Sequence, residues 1–156
     1  MRVTPQQLQV LLNGIQPHRV SNLDGMSYLE AWDIRAMLTR IWGFAGWSLL
    51  ETSPTTLVYE QETTTKAGKP AWKVAYRANM ALVVHGTEGD TSYAGAAVGE
   101  AIMPDFKRGD AHDMAIKTAE SQALKRCAMN LGDQFGLSLY NNGSLEAVIR
   151  KIVPNG

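Results

Sequence analysis

The chain has 156 residues, enough to bury a core, and its 45% hydrophobic and 19% charged content is that of a soluble globular protein. Its 15 Lys and Arg balance its 15 Asp and Glu, which excludes a protein that coats polyanions by bulk charge but leaves room for a local basic strip. One cysteine, Cys127, cannot form an intrachain disulfide and fits a reducing, cytoplasmic setting. The start of the chain lacks a signal-peptide pattern and no apolar run approaches the ~20 residues of a membrane span, so no membrane partner is expected.

Thr4-Pro5-Gln6-Gln7 reads as a helix start, with Thr4 as cap, Pro5 at the first position and Gln7 completing a capping box. That helix is expected to end near Asn13-Gly14, and residues 15–25 read as a polar connector. Ser27-x-x-Glu30 reads as a second capping box, predicting a helix from Tyr28 to about Trp42. Ile34, Met37, Leu38 and Ile41 fall on one side of it, and Gly43 stops it.

Trp42 to Trp47, W-G-F-A-G-W, then turns the chain into a sheet. Strands are expected over 47–51 and 55–63, separated by Ser53-Pro54. The clearest covers 71–85, where Trp72, Val74, Tyr76, Ala78, Met80, Leu82 and Val84 alternate with Lys73, Arg77, Asn79 and His85. The turn Thr87–Asp90 leads to a last strand at about 91–98, and residues 101–109 read as a loop holding Pro104, Lys107 and Arg108.

Asp110 can cap a long helix, with Asp113 favouring its N-terminal dipole. The helix carries Ala115, Ala119, Ala123, Cys127 and Ala128 and stops at Gly132. A short helix is expected around 145–152 in the tail. The order predicts an α+β fold: an antiparallel β-meander of three to four strands packed on a long helix, with N-terminal helices. One domain over 1–156 is expected, with its core at about 11–140 and a short tail at 141–156.

Signals for catalysis are absent from the sequence. There is no phosphate loop and no dinucleotide fingerprint, so no nucleotide cofactor is expected. His18, His85 and His112 fall in separate elements without ligand spacing, so no metal is expected. The informative pattern is in the cations. Lys66, Lys69, Lys73 and Arg77 follow one another without an intervening acid, beside Trp72 and Tyr76. Basic residues interleaved with aromatics suit single-stranded nucleic acid. The rings share the apolar strand face and read as core, whereas Lys73 and Arg77 on the opposite face remain candidates for phosphate.

Lys107, Arg108, Lys117, Lys125 and Arg126 form a second set. Lys117 and Lys125 project within ~80° of each other on a helix. Two readings stand level for Lys125 and Arg126: complementing the helix C-terminus, or gripping an anion. Asp113 can pair with Lys117 across one turn. The small residues of the helix allow close approach by either a sheet or a neighbouring subunit. Cys127 reads as a buried structural thiol.

The run T-A-E-S-Q-A-L-K-R-C-A-M-N-L-G-D-Q-F-G-L, Thr118 to Leu137, resembles the bacterial and phage branch of the Rad fifty-two family of single-strand annealing proteins. Tyr28-Leu29-Glu30-Ala31-Trp32 with Ile41–Trp47 is similar to the family's aromatic-rich helix, in the same order along the chain. Gly95-Ala96-Ala97-Val98-Gly99-Glu100 is similar to its last strand and turn, and the resemblance covers about 11–140.

This resemblance implies subunits assembled into homo-oligomeric rings or arcs that hold single-stranded DNA in a groove and anneal it without ATP. Lys125 and Arg126 match the family's principal DNA-contacting pair. Phe44 falls where eukaryotic members have a tyrosine near the DNA. Lys107 and Arg108 lie where the family has an outer set of lysines. Eukaryotic members have arginine at the positions of Asp33 and Met129, and Arg35 and Arg40 are candidates to compensate. The expected setting is the cytoplasm of a bacterial or phage-infected cell, near the nucleoid, with an exonuclease as the further partner of a phage system. The alternatives are a structural oligomer without nucleic-acid function and a small enzyme with an unrecognised site.

Overall fold

The structure, a computed structural model, describes residues 3–153. Its regular elements are helix α1 (Pro5–Leu11), strands β1 (Ser21–Leu23) and β2 (Met26–Tyr28), helix α2 (Ala31–Trp42), strands β3 (Trp47–Thr64), β4 (Pro70–Gly86) and β5 (Gly89–Pro104), and helix α3 (Arg108–Ala128). The fold is α+β, with three antiparallel strands in the order β3-β4-β5 packed on the long helix α3. Two compact units divide the chain. One holds the chain up to Leu49, Leu82–Tyr93 and the chain from Cys127 onward; the other holds Leu50–Ala81 and Ala94–Arg126. The three long strands and α3 lend residues to both.

In the first unit, α1 opens on the predicted capping box. The Gln7 N–H donates to Thr4 Oγ1 at 3.1 Å and the Thr4 N–H to Gln7 Oε1 at 2.9 Å. Gln7 Nε2 also donates to the Ile41 carbonyl at 2.9 Å, tying α1 to the end of α2. Residues 15–25 are not a plain connector. A 3-10 turn at Pro17–Arg19 leads into a hairpin, β1 against β2 with Leu23 opposite Met26. Asp24 and Gly25, with φ of 50° and 77°, make its two-residue turn. Positive φ at both central positions matches the twist of paired strands.

The second capping box does not form. Ser27 donates instead to Asn22 across the hairpin at 2.9 Å, and α2 starts later, with Glu30 as an N-cap that makes no side-chain bond. Ile34, Met37 and Leu38 on α2 are buried as the periodicity predicts, and Gly43 ends the helix at φ 84°.

A buried polar knot lies at the centre of this unit. Arg19, Asp33 and Gln134 are all nearly inaccessible. Arg19 forks onto Asp33, with Nη2 at 2.8 Å, and donates Nη1 to Gln134 Oε1 at 2.9 Å and Nη2 to the Gln134 carbonyl at 2.8 Å. Gln134 Nε2 reaches back to the carbonyls of Asn13 and Gly14 at 2.9 and 3.0 Å. A buried charge pair is tolerable only when its remaining donors and acceptors are met, as they are here.

After α3 the chain passes through short 3-10 turns separated by Gly132 and Gly136, at φ 102° and 92°. The tail forms no helix among the described residues. The Ile149 N–H donates to the Asp133 carboxylate at 2.9 Å, which replaces an intrahelical bond and holds the segment open.

In the second unit, β4 is central and alternates as expected. Val74, with Trp72 and Tyr76, packs toward Ala101, Ala111 and Ala115. β3 is one strand, unbroken at Pro54. It lies on the edge of the sheet, where a residue without an N–H leaves no neighbour unpaired. β5 runs on to Pro104, so the predicted loop is strand followed by a 3-10 turn at Asp105–Lys107. α3 begins at Arg108, which places Asp110 inside the first turn and not at the cap.

Ala111, Ala115, Ala119 and Ala123 are fully buried. At Gly99 a Cβ would lie 2.2 Å from the Ala119 nitrogen and 2.5 Å from the Ala115 oxygen. The helix therefore rests directly on the β5 backbone. Of the two readings of the small-residue stripe, helix-on-sheet packing is the one this contact realises.

Candidate nucleic-acid interface

Seven of the sequence-predicted site residues lie in the second unit. Lys125 and Arg126 occupy the last turn of α3. Burial of the alanine face on β5 turns Asp113 and Lys117 to the other side, where both are exposed, whereas Arg126, seven residues on from Ala119, falls on the β5 side at the end of the helix and is itself exposed. Arg126 Nη1 donates to the Ala96 carbonyl at 2.8 Å. That bond orients the guanidinium relative to β5, so the cation is held by the sheet as well as by the helix. Lys125, beside it, is half-buried. Lys117 is paired with Asp113 at 2.7 Å, an exposed i,i+4 contact that raises the lysine pKa. Its charge is partly offset within the helix.

Lys107 and Arg108 sit at the other end of α3, about 25 Å from Lys125 along the axis at 1.5 Å per residue. Phe106 is 83% exposed, with Lys107 Nζ 5.8 Å from its ring centre. Arg108 lies over the Trp72 ring at 3.9 Å, and Trp72 donates its indole N–H to Asp105 at 2.7 Å. Arg108 Nε donates to Glu60 Oε2 at 3.1 Å and Nη2 to Glu60 Oε1. His112 Nε2 meets the same carboxylate, and its Nδ1 meets the Tyr76 hydroxyl at 2.8 Å. These bonds, from Arg108 first and His112 second, hold the Glu60 pKa down at about 2.

Trp72 and Tyr76 are thus half-buried parts of the packing, as their strand face predicts. Lys73 and Arg77 point away from α3, since successive side chains of a strand alternate. Lys73 pairs with Glu100 at 3.6 Å, and Arg77 is exposed with a 3.4 Å contact to Asn79. The structure does not bring these two residues together with the cations of α3; the sheet lies between.

The other three predicted residues lie in the first unit. Phe44 follows Gly43 and is 96% exposed. Arg35 and Arg40 are both exposed on α2. The Arg35 guanidinium lies 5.9 Å from the Trp47 ring centre, and Trp47 Nε1 donates to Thr39 at 3.0 Å. Asp33 belongs to the buried knot with Arg19, so an acid at this position is a core residue here. Met129, where the other eukaryotic arginine falls, is half-buried in a 3-10 turn.

One feature escaped the sequence reading. Glu60 lies 48 residues from Arg108 and 52 from His112, while His112 follows Arg108 by one helix turn, and no local pattern joins Glu60 to the other two. Trp32, 69% exposed on α2, was legible: it stands three residues before Arg35, opposite the buried Ile34 and Met37.

Among the described residues, no three His, Cys, Asp or Glu side chains group as metal ligands, and no helix is long and apolar enough to cross a membrane. Chemically, the cations of α3 offer charge-assisted hydrogen bonds to an anion. Residues 6–153 match the family described as Rad52/22 family double-strand break repair protein. Comparison with curated proteins gives no match.

Proposed function

The chain belongs to the Rad52/22 family of double-strand break repair proteins, whose work is DNA repair and recombination by annealing, and on that footing we propose an ATP-independent single-strand annealing protein that works as a multi-subunit ring. The observation that carries this reading is the Lys125–Arg126 pair, fixed at the end of α3 with Arg126 oriented by the Ala96 carbonyl. Such cations hold the sugar–phosphate backbone and supply affinity without sequence choice. Bases that face away from the protein then pair with a second strand, and Watson–Crick pairing reads homology.

Zero net charge makes one subunit a weak binder. A ring repeats the weak site along one strand, so each contact raises the effective concentration of the next. Self-association is therefore part of the mechanism. Single-stranded DNA and further copies of the chain are its partners, with an exonuclease supplying single strands in a phage system. The place of action is the cytoplasm of a bacterial or phage-infected cell.

The test is single-strand binding by the Lys125→Ala, Arg126→Ala double variant. Loss of binding with the oligomer intact is expected. Unchanged binding would place the groove elsewhere and leave a structural oligomer as the better reading.

A further inference from the structure

We propose that Glu60 is a built-in competitor for phosphate at Arg108, so that this outer cation engages a nucleic-acid backbone only by exchanging a carboxylate for a phosphate. The proposal rests on the single-strand-binding reading above and adds to it a residue that sets how tightly, and at what salt, the outer site is used.

The geometry carries it in three parts. First, Glu60 occupies the edge of the guanidinium that an anion would use. It accepts from Nε at 3.1 Å and from Nη2 with its other oxygen. Carboxylate and phosphate are both bound by arginine through such parallel N–H pairs, so the two ligands are mutually exclusive on that edge. Second, the guanidinium is held on a platform. It lies 3.9 Å from the Trp72 ring, and Trp72 is itself anchored to Asp105 at 2.7 Å. Exchange of one anion for another leaves the cation's plane in place, and its side chain is 51% exposed.

Third, Glu60 has a second partner. His112 Nε2 bonds the same carboxylate, and Tyr76 bonds the other ring nitrogen at 2.8 Å. When a phosphate takes Arg108, Glu60 keeps a donor and is not left alone at a site where its side chain is only 19% exposed. Because Arg108 and His112 hold its pKa at about 2, Glu60 is an anion across the physiological range. Competition is therefore constant and is overcome by strand concentration, not by protonation.

Removing the charge while keeping the shape, Glu60→Gln, is the direct test, with Glu62→Gln as control. Glu62 acts on Arg108 through space and not through the fork. Binding of a fluorescent oligothymidylate is measured across a salt series. Glu60→Gln is expected to bind about tenfold tighter, the worth of one charge-assisted contact. The slope of log K against log salt steepens by about 0.7, one added phosphate contact on a single strand. Adding Arg108→Ala to Glu60→Gln removes both gains.

No gain from Glu60→Gln, an equal gain from Glu62→Gln, or a gain that survives Arg108→Ala overturns the proposal. Should Glu60→Gln lose its fold by circular dichroism, Arg108→Ala alone decides: a masked arginine costs less than about threefold in affinity when removed, and a tenfold loss overturns the masking. Wild-type binding that is normal while Glu60→Gln shows no gain defeats only this inference. Absence of binding by both proteins at every salt defeats the single-strand reading with it.

Discussion

Replacing Gly99 by alanine tests whether α3 is seated on bare backbone. The added methyl would sit 2.2 Å from the Ala119 nitrogen, 2.5 Å from the Ala115 oxygen and 2.8 Å from the Thr118 carbon. All three are backbone atoms, so no rotamer change relieves the clash. Restoring ordinary contact requires α3 to retreat from β5 by roughly 1 Å, in an interior packed to crystal density. Overpacking of this kind costs about 1–3 kcal/mol where side chains can yield, and the upper end is expected where only a helix can move. At a slope of about 1–3 kcal/mol per molar, that lowers the urea midpoint by roughly 1 M or more.

The matched control is Gly109→Ala. Gly109 lies in the first turn of α3, its added methyl meets nothing within 4 Å, and its φ is not positive. It should be neutral or stabilise by about 0.4–1 kcal/mol through the unfolded chain. Urea titrations followed by circular dichroism compare the two. A Gly99→Ala midpoint equal to wild type would refute the close helix–sheet contact. Because α3 carries Lys125 and Arg126, Gly99→Ala should also weaken single-strand binding with no cation removed.

Asp33→Ala leaves the Arg19 guanidinium buried without its partner and should cost about 3–5 kcal/mol, read as a lower urea midpoint; Asp33→Arg, which restores the eukaryotic charge, should destabilise further and bring no gain in DNA affinity. The Glu60 carboxyl is ionised in the folded protein down to about pH 2, against 4.5 as its ordinary value. Its contribution to stability is thus complete above pH 4.5 and is lost as pH falls toward 2, so the difference in urea midpoint between wild type and Glu60→Gln should shrink across that window. A difference that stays constant would remove the Arg108–Glu60–His112 clasp from the account. Burial pushes the Cys127 thiol up, so maleimide at pH 8 should leave it unmodified in the folded protein and label it fully in denaturant. Rapid labelling of the folded chain would contradict its burial.

Much of the architecture was legible because periodicity reports burial. The alternation from Trp72 to Val84 gave the central strand, and Ile34, Met37 and Leu38 gave the inner face of α2. What escaped depended on partners distant in sequence. Pro54 reads locally as a strand break, but an edge strand has no ladder bond to lose there. Ser27 and Glu30 have capping-box spacing, yet Ser27 is engaged by Asn22 in a hairpin that Asp24-Gly25 alone hinted at. Residues 99–104 look weakly β-forming because Gly99 and Ala101 are small, and they are small because α3 rests on them.

The same distinction separates the site residues. Lys125 and Arg126 could be placed on a helix end from sequence, since caps and dipoles are local. The partners of Arg108 could not: Glu60 comes from β3 and Trp72 from β4, and only folding sets them around one guanidinium. Asp33 looked like a missing DNA cation, whereas its burial with Arg19 and Gln134 makes it part of the core of its unit.

The central claim, annealing by a cation pair fixed at the end of α3, is tested most directly by mixing complementary single strands with the protein in nucleotide-free buffer and following duplex formation. The account predicts that wild-type protein, near stoichiometric coating, accelerates pairing over the uncatalysed rate. The Lys125→Ala, Arg126→Ala variant, folded and oligomeric, should not. Equal annealing by the two proteins, or none by the wild type, would contradict it.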